Sequence, residues 1–410
     1  MRDRDCLLHC FHAALAEVHG GMVVRRALGR LKGREPVHLV AIGKAAAAMA
    51  EGARMALGER LTRALVITRH GHDDPLLSRD QRFICLQADH PLPGGDSLLA
   101  GRRLLDFIRL TPEQGHLVFL ISGGTSSLVE VLPPGAGLEE LQRINGWLLG
   151  SGLDIVAMNR VRAAISCIKG GRLRSRLGQR RTEAYLISDV PGDDPAVIGS
   201  GLLVPPSVVR PLPELPPGVR EWVAAMVARV PDCTDTPGVA VPVHVIATLR
   251  DACHAAAAAA ERCGRAVTLH GEFLRGEAAV CGERLARELL AGPPGIHIWG
   301  GETTVTLPTD PGLGGRNQHL ALAAAPVLAG HPGVALLAAG TDGSDGNTLA
   351  AGALVDAGTM SRARALGLDV EQALAGANAH VVLKACGDLV TTGPTGTNVM
   401  DLVIGIRRGC

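Results

Sequence analysis

Three features of the chain predict an α/β fold in two domains. Short apolar runs without polar alternation recur between longer helix-like segments, which is the pattern of parallel strands covered on both faces. At roughly 150 residues per domain, 410 residues suit two domains better than one. Nine of the 25 prolines crowd between Pro205 and Pro242, including PLPELPP, a stretch that suits neither a central strand nor a long helix. The expected boundaries are therefore a first domain over 1–204, a proline-rich linker over 205–242 and a second domain over 243–410.

In chain order, DCLLHCFHAALAEV reads as an amphipathic helix over 5–18, because His9, His12 and Glu17 interrupt any signal-like apolar run. VHLVAI (37–42) is the first strand, and the Ala-rich run 45–57 is the helix after it. ALVIT (64–68), LVFLI (117–121) and AYLI (184–187) read as further buried strands, with helices at 138–150 and 153–167. Beyond the prolines, VHVIA (243–247), IHIW (296–299), TTVTL (303–307), VALLA (334–338) and 401–405 read as strands. Helices are expected there at 250–263, 277–290, 317–329 and 378–385.

Composition removes several functions. With 41 Lys+Arg against 40 Asp+Glu, the net charge of +1 gives no electrostatic case for nucleic acid or an anionic membrane. Five Phe, three Trp and one Tyr leave little for stacking single-stranded nucleic acid or carbohydrate. No uninterrupted apolar run approaches the roughly 18 residues of a membrane span. The ten cysteines, Cys233 and Cys410 among them, include no C-x-x-C and are expected to be reduced, buried hydrophobes of a cytoplasmic chain.

Five glycine- or carboxylate-rich loops directly follow apolar strands, at the edge where open α/β sheets bind ligands. They are Gly43-Lys44, the run Ser122–Ser127, the run Ser188–Asp194, Gly300-Gly301-Glu302 and the run Gly340–Gly346. Only four of the 41 basic residues are lysines, and Lys44 and Lys169 adjoin glycine. Lys44 opens a helix, whose dipole favours an anion, and is assigned to contact one. Lys169 either does the same or caps a helix C-terminus. In the run Ser122–Ser127, Gly123 and Gly124 let the backbone approach an anion, with Ser122 and Ser126 as nearby donors; a plain turn is the alternative. No Walker A or G-x-G-x-x-G pattern occurs.

Arg316 is the single Lys or Arg between Arg287 and Arg362, set in a glycine loop before a helix, and suits bidentate binding of phosphate or carboxylate. Asp189, Asp193, Asp194, Asp342 and Asp345 supply carboxylates to hold Mg²⁺ or to take a proton from a hydroxyl. Glycines, one Lys, one Arg and acidic loops together describe metal-assisted phosphoryl transfer to a small anionic substrate.

Nine ordered segments, among them AIGKAAAAMA, HPLPGGDS, ISGGTSSL, MNRVRAAISCIKGGRL, LISDVPGDDPAVIGSG, GLGGRNQHLALAAA and TGPTGTNVMDL, resemble the glycerate 2-kinases that carry a C-terminal MOFRL domain. The resemblance implies two α/β domains, the first Rossmann-like, the MOFRL region at about 296–405, and an active site in the interdomain cleft. It implies ATP-dependent phosphorylation of D-glycerate at its 2-hydroxyl, with Mg²⁺. The family's active-site lysine and arginine fall on Lys44 and Arg316. On this reading Gly43, Ser122, Gly123, Gly124, Ser126, Gly301 and Glu302 serve the nucleotide. Arg162, Lys169 or Lys44 holds the substrate, Asp189 accepts the hydroxyl proton, and Asp189, Asp342 and Asp345 hold the metal. The chain departs from the family pattern at Ala157, at Ala163-Ala164 and at Asn378-Ala379-His380. A hydroxypyruvate reductase and a sugar-acid-binding regulator are the competing readings; oligomeric state stays open.

Overall fold

The computed structural model describes residues 3–153, 155–208, 210–231 and 240–409. Cys233, Cys410 and residues 232–239 of the proline-rich stretch lie outside the described residues. The chain forms two compact units, Gly20–Ala247 and Met1–His19 with Thr248–Cys410.

The unit Gly20–Ala247 is built on β1 (Val37–Ile42), β2 (Leu61–Arg69), β3 (Phe83–Ala88), β4 (His116–Ile121), β5 (Arg181–Ile187) and β6 (Val243–Ala247). All pair in parallel in the order β3-β2-β1-β4-β5-β6, the doubly wound arrangement whose order reverses between β1 and β4. One face buries Val40, Ile42, Leu65, Phe119 and Ile121 with Leu104, Phe107 and Ile108 of the helix Gly95–Leu110. The helix Ala46–Leu57 packs on β1 and β2, and Gly20–Leu28 packs on that helix. Gly52 permits this second contact, since a Cβ there would lie 2.7 Å from the Cα of Gly21.

Three further helices, Leu138–Gly150, Ile155–Ala164 and Pro217–Val227, share a separate small core of Leu141, Ile144, Leu148, Val161, Val219, Val223 and Met226. The proline-rich stretch thus contributes a helix that starts on Pro217, where a missing N–H does no harm. Units divide after β6, at Ala247, and not across the prolines.

The other unit holds β7 (Val267–Leu274), β8 (Gly295–Gly301), β9 (Val334–Gly340), β10 (Gly352–Asp356), β11 (Leu389–Val390) and β12 (Asp401–Arg407), in the order β11-β10-β9-β12-β8-β7. Only β7 and β8 pair in parallel; β12 enters antiparallel between β8 and β9. A strand buried on both faces reads as one apolar run whichever way its neighbours point, so the run itself did not carry that direction. The expected strand at 303–307 is reduced to a single bridge between Thr304 and Glu277.

The helix Asp3–Glu17 belongs to this second unit. It buries Cys6, Leu7, Cys10, Phe11 and Ala14 against the helix Leu249–Arg262 and strands β9 and β12. Arg4 Nη1 reaches Asp388 Oδ1 at 2.9 Å and Asp356 Oδ2 at 3.2 Å. The stretch Asp3–Leu28 is long and apolar enough to cross a membrane by length and composition only; it is divided into the helices Asp3–Glu17 and Gly20–Leu28, and half of its 18-residue apolar window is buried. None of the eight described cysteines forms a disulfide. Burial pushes the Cys10 and Cys253 thiols up to about 12, which leaves them protonated and inert.

Candidate active site

At the reversal of strand order the ends of β1 and β4 are tied together by their own loops. Lys44 N donates to Gly123 O at 2.8 Å and Ala45 N to Ser122 Oγ at 3.1 Å. Thr125 Oγ1 donates to Ser122 O at 2.7 Å and Ile42 O at 3.0 Å. Gly43 has φ 130°, and a Cβ on it would lie 2.6 Å from Ser122 O, so glycine is required for the two ends to meet. Gly124, at φ 87°, is flanked by Lys44 and His90: a Cβ there would sit 3.3 Å from Lys44 Cγ and 3.2 Å from His90 Cδ2. Asp189, half-buried, follows β5, the neighbour of β4.

A polar chain leads away from this loop. Ser126 Oγ and Ser200 Oγ are 2.7 Å apart, Ser200 Oγ donates to Asn159 Oδ1 at 3.2 Å, and Arg162 Nη1 donates to the same oxygen at 3.2 Å. Lys169 is fully buried and bonded to Glu130, which also accepts from Ser166 Oγ at 2.6 Å. Burial pulls its pKa down against the pull of Glu130. The Lys169 ammonium is therefore an interior ion-pair partner and is not presented to a ligand, against the assignment made from its neighbouring glycines.

In the other unit, β12 lies in register so that Asp401 is opposite Gly301 on one side and Gly340 on the other. This brings the Glu302 and Asp342 loops to either side of Asp401. Arg316, at the first turn of the helix Arg316–Leu328, donates through Nε to Asp401 Oδ2 at 2.5 Å and through Nη2 to Oδ1 at 3.0 Å. Its Nη1 meets Glu302 Oε1 at 2.7 Å. Burial works against its charge, but Asp401 and Glu302 outweigh burial and raise its pKa, so the guanidinium is permanently charged.

Asp345 caps the same helix. Its Oδ1 accepts from Asn317 N at 3.0 Å, and its Oδ2 from Gln318 N at 2.8 Å and Gln318 Nε2 at 3.1 Å. Both oxygens are engaged and only 2% of the residue is exposed, so Asp345 does not suit the metal-ligand role expected of it. Asp342 accepts from Ser344 N at 3.0 Å and Ser344 Oγ at 3.1 Å, and is half-exposed. Asp342 and Glu302 are hard oxygen donors that fit Mg²⁺. Asp189 lies in the other unit from Asp342 and Asp345.

Two family models match the chain: one described as a domain of unknown function (DUF4147), at residues 6–210, and the MOFRL family, at residues 295–401. The D-glycerate 2-kinase of Thermotoga maritima is 37% identical over 384 residues, covering 90% of each chain. The chain belongs to the glycerate 2-kinase family. The crystal structure of a glycerate kinase from Thermotoga maritima superposes with a TM-score of 0.83 at 34% identity, covering 98% of this chain and 99% of that one. A protein of Agrobacterium vitis whose name carries hydroxypyruvate reductase as a provisional assignment is 37% identical over 89% of this chain and 97% of its own.

Within this glycerate 2-kinase fold the departures at Asn378-Ala379-His380 have structural work. Asn378 Oδ1 accepts from Leu313 N at 3.0 Å and anchors the glycine loop before Arg316, while His380 Nδ1 is 2.8 Å from Gln318 Oε1 in the first turn of the helix that Arg316 opens. Ala157 is buried on the helix Ile155–Ala164, two residues before Asn159.

Sequence reasoning did not single out His90, beside Gly124, or Asp401, the partner of Arg316. His90 and Asp401 sit in the quoted segments HPLPGGDS and TGPTGTNVMDL, and each follows or opens an apolar run. That strand-end position was the available signal. The one group of three metal-ligating side chains among the described residues is His70, Asp89 and Asp96, beyond the ends of β2 and β3, where His70 Nε2 lies 3.2 Å from Asp96 Oδ2.

Proposed function

We propose that the chain transfers the γ-phosphoryl group of ATP to the 2-hydroxyl of D-glycerate, giving 2-phosphoglycerate and ADP. The observation that carries this reading is family membership along nine-tenths of the chain. It is supported by Lys44 lying on the Gly123-Gly124 turn, at the strand-order reversal where doubly wound sheets take ligands. In this reading Lys44 and the glycine loop offset phosphate charge, with Gly43, Ser122 and Ser126 holding the loop in shape. Arg316, kept charged by Asp401, stabilises the transferring phosphoryl group. Asp189 accepts the proton of the attacking hydroxyl. Glu302, with Gly301 setting the turn before it, and Asp342 would hold Mg²⁺, which when bound offsets charge on the phosphate oxygens.

The deciding experiment is a coupled ADP-release assay with Mg-ATP and D-glycerate, with phosphorus NMR of the product. Turnover to 2-phosphoglycerate is expected, with Lys44→Ala lowering kcat by about 100-fold or more. Nicotinamide oxidation by hydroxypyruvate with no ATP consumption would replace this reading with the reductase.

A further inference from the structure

The second unit carries a cavity apart from the Arg316 site. It measures about 560 Å³ and is walled by strands β7 and β8 and the helix Ala278–Ala291, with His270, Glu272, Arg284, Glu288, His297 and Trp299 in its lining. β7 bulges to form it. Leu269 pairs with Ile298 but Phe273 with Gly300, which takes His270, Gly271 and Glu272 out of the ladder. Bulges of this kind re-aim side chains beside binding sites.

Three rings make one wall. His270 stacks on Trp299 with 4.4 Å between centroids and an interplanar angle of 11°, and His297 lies 5.4 Å from His270. His297 is fixed by Gly292, where a Cβ would lie 2.5 Å from its Cε1, and by Pro293 O, 2.9 Å from its Nε2. A carbonyl only accepts, so His297 carries a proton on Nε2. With both rings neutral, its Nδ1 then accepts from His270 Nε2, 3.2 Å away. This leaves His270 Nδ1 as an acceptor without a donor among the described residues. Burial, His297 and Arg284 lower the His270 pKa against the pull of Glu288 and Glu272, which keeps the ring neutral and that lone pair free. Trp299 is 2% exposed with its indole N–H unpartnered, an uncommon cost for a residue kept for packing alone.

The carboxylates of the lining add further acceptors. Arg284 Nη1 donates to Glu288 Oε1 at 2.6 Å, and among the described residues neither Glu288 Oε2 nor the Glu272 carboxylate has a protein partner. Two carboxylates against one guanidinium, itself paired, give the lining a net negative charge beside an indole. Such surroundings favour a cation over the phosphates and carboxylates suited to Lys44 and Arg316.

We propose that this cavity is a second binding site, for a primary ammonium group whose three N–H donors match His270 Nδ1, Glu272 and Glu288 Oε2. The occupant that brings this group is a small aliphatic amine or the end of a lysine side chain. The site owes nothing to the phosphotransfer reading and is tested without it.

Titration calorimetry on the full chain, without nucleotide, uses n-butylamine, 1-butanol, butyrate and the peptide acetyl-Gly-Lys-Gly-amide. Butylamine is expected to bind at least about 10-fold more tightly than 1-butanol, with butyrate weakest. His270→Phe, which keeps a ring against Trp299, and Glu272→Gln, at an exposed residue, should each weaken butylamine at least about fivefold at an unchanged Tm. A peptide that binds more tightly than butylamine makes a protein lysine the occupant, and one that binds more weakly makes it a free amine. Butylamine that binds no better than 1-butanol overturns the proposal, as does an affinity indifferent to both substitutions. Should His270→Phe unfold, Glu272→Gln decides alone. Phosphorylation of D-glycerate is measured in parallel; its absence counts against the kinase reading only, and butylamine binding still decides this site.

Discussion

Asp345 holds two amides at the start of the helix Arg316–Leu328, yet burial pushes its pKa up to about 6 against the pull of those amides. A carboxyl raised above its ordinary value of 3.8 gives the folded state the greater proton affinity. Its contribution to stability is therefore fully present below pH 3.8 and lost as pH rises through about 6. Asp345→Asn removes that dependence whatever it does to absolute stability. Denaturant unfolding between pH 4 and 7 should show the variant gaining on wild type as pH rises, by up to about 3 kcal/mol. A difference that does not change with pH would contradict the assignment. Arg316, permanently charged beside it, contributes no such slope.

Among the elements, β1 and β4 meet with little tolerance at Gly43. Gly43→Ala puts a methyl group 2.6 Å from Ser122 O at a φ of 130°. The combined strain and crowding should cost roughly 2–5 kcal/mol. Because the loops share hydrogen bonds, the same change should displace Lys44 and raise KM for ATP. Equal Tm and equal KM would show that the two strand ends can part without consequence.

This junction also marks how much the sequence discloses. β1, β2, β4, β5 and β6 were legible as continuous apolar runs, and the glycines after β1 and β4 were legible as close-approach points. β3 and β7 were not, because Gln87 in one and His270, Gly271 and Glu272 in the other break the apolar run. Helix Gly95–Leu110 went unread although Leu104, Phe107 and Ile108 mark its buried face. Lys44 and Arg316 could be chosen from residue scarcity alone. Asp401, the partner of Arg316, could not: the pairing spans 85 residues and depends on β12 entering between β8 and β9. Lys169 misled for a similar reason, since Glu130 lies 39 residues away and becomes its neighbour only in the fold.

At the scale of the whole molecule, the second unit is assembled from two separated pieces of chain, Met1–His19 and Thr248–Cys410. The helix Asp3–Glu17 covers β9, β12 and the helix Leu249–Arg262, and Arg4 shares Asp388 with Arg362. Deleting residues 1–19 exposes the surface that Cys6, Leu7, Cys10 and Phe11 cover. On burial alone this should cost that unit on the order of 5–10 kcal/mol. Hydrogen exchange should then show lost protection in β9 and β12, with β1 and β4 still protected; equal loss in both sheets would contradict the division.

The order of manufacture follows from the same arrangement. On the ribosome the helix Asp3–Glu17 emerges before Gly20–Ala247, and β12, one of its partners, only after it. All of Gly20–Ala247 is made and can fold in the interval. Throughout that time Cys6, Leu7, Cys10 and Phe11 have nothing of their own unit to rest on. The half-made chain is accordingly the form most open to chaperone capture or aggregation. Synthesis of β9, β12 and the helix Leu249–Arg262 is what permits the helix Asp3–Glu17 to reach its permanent place.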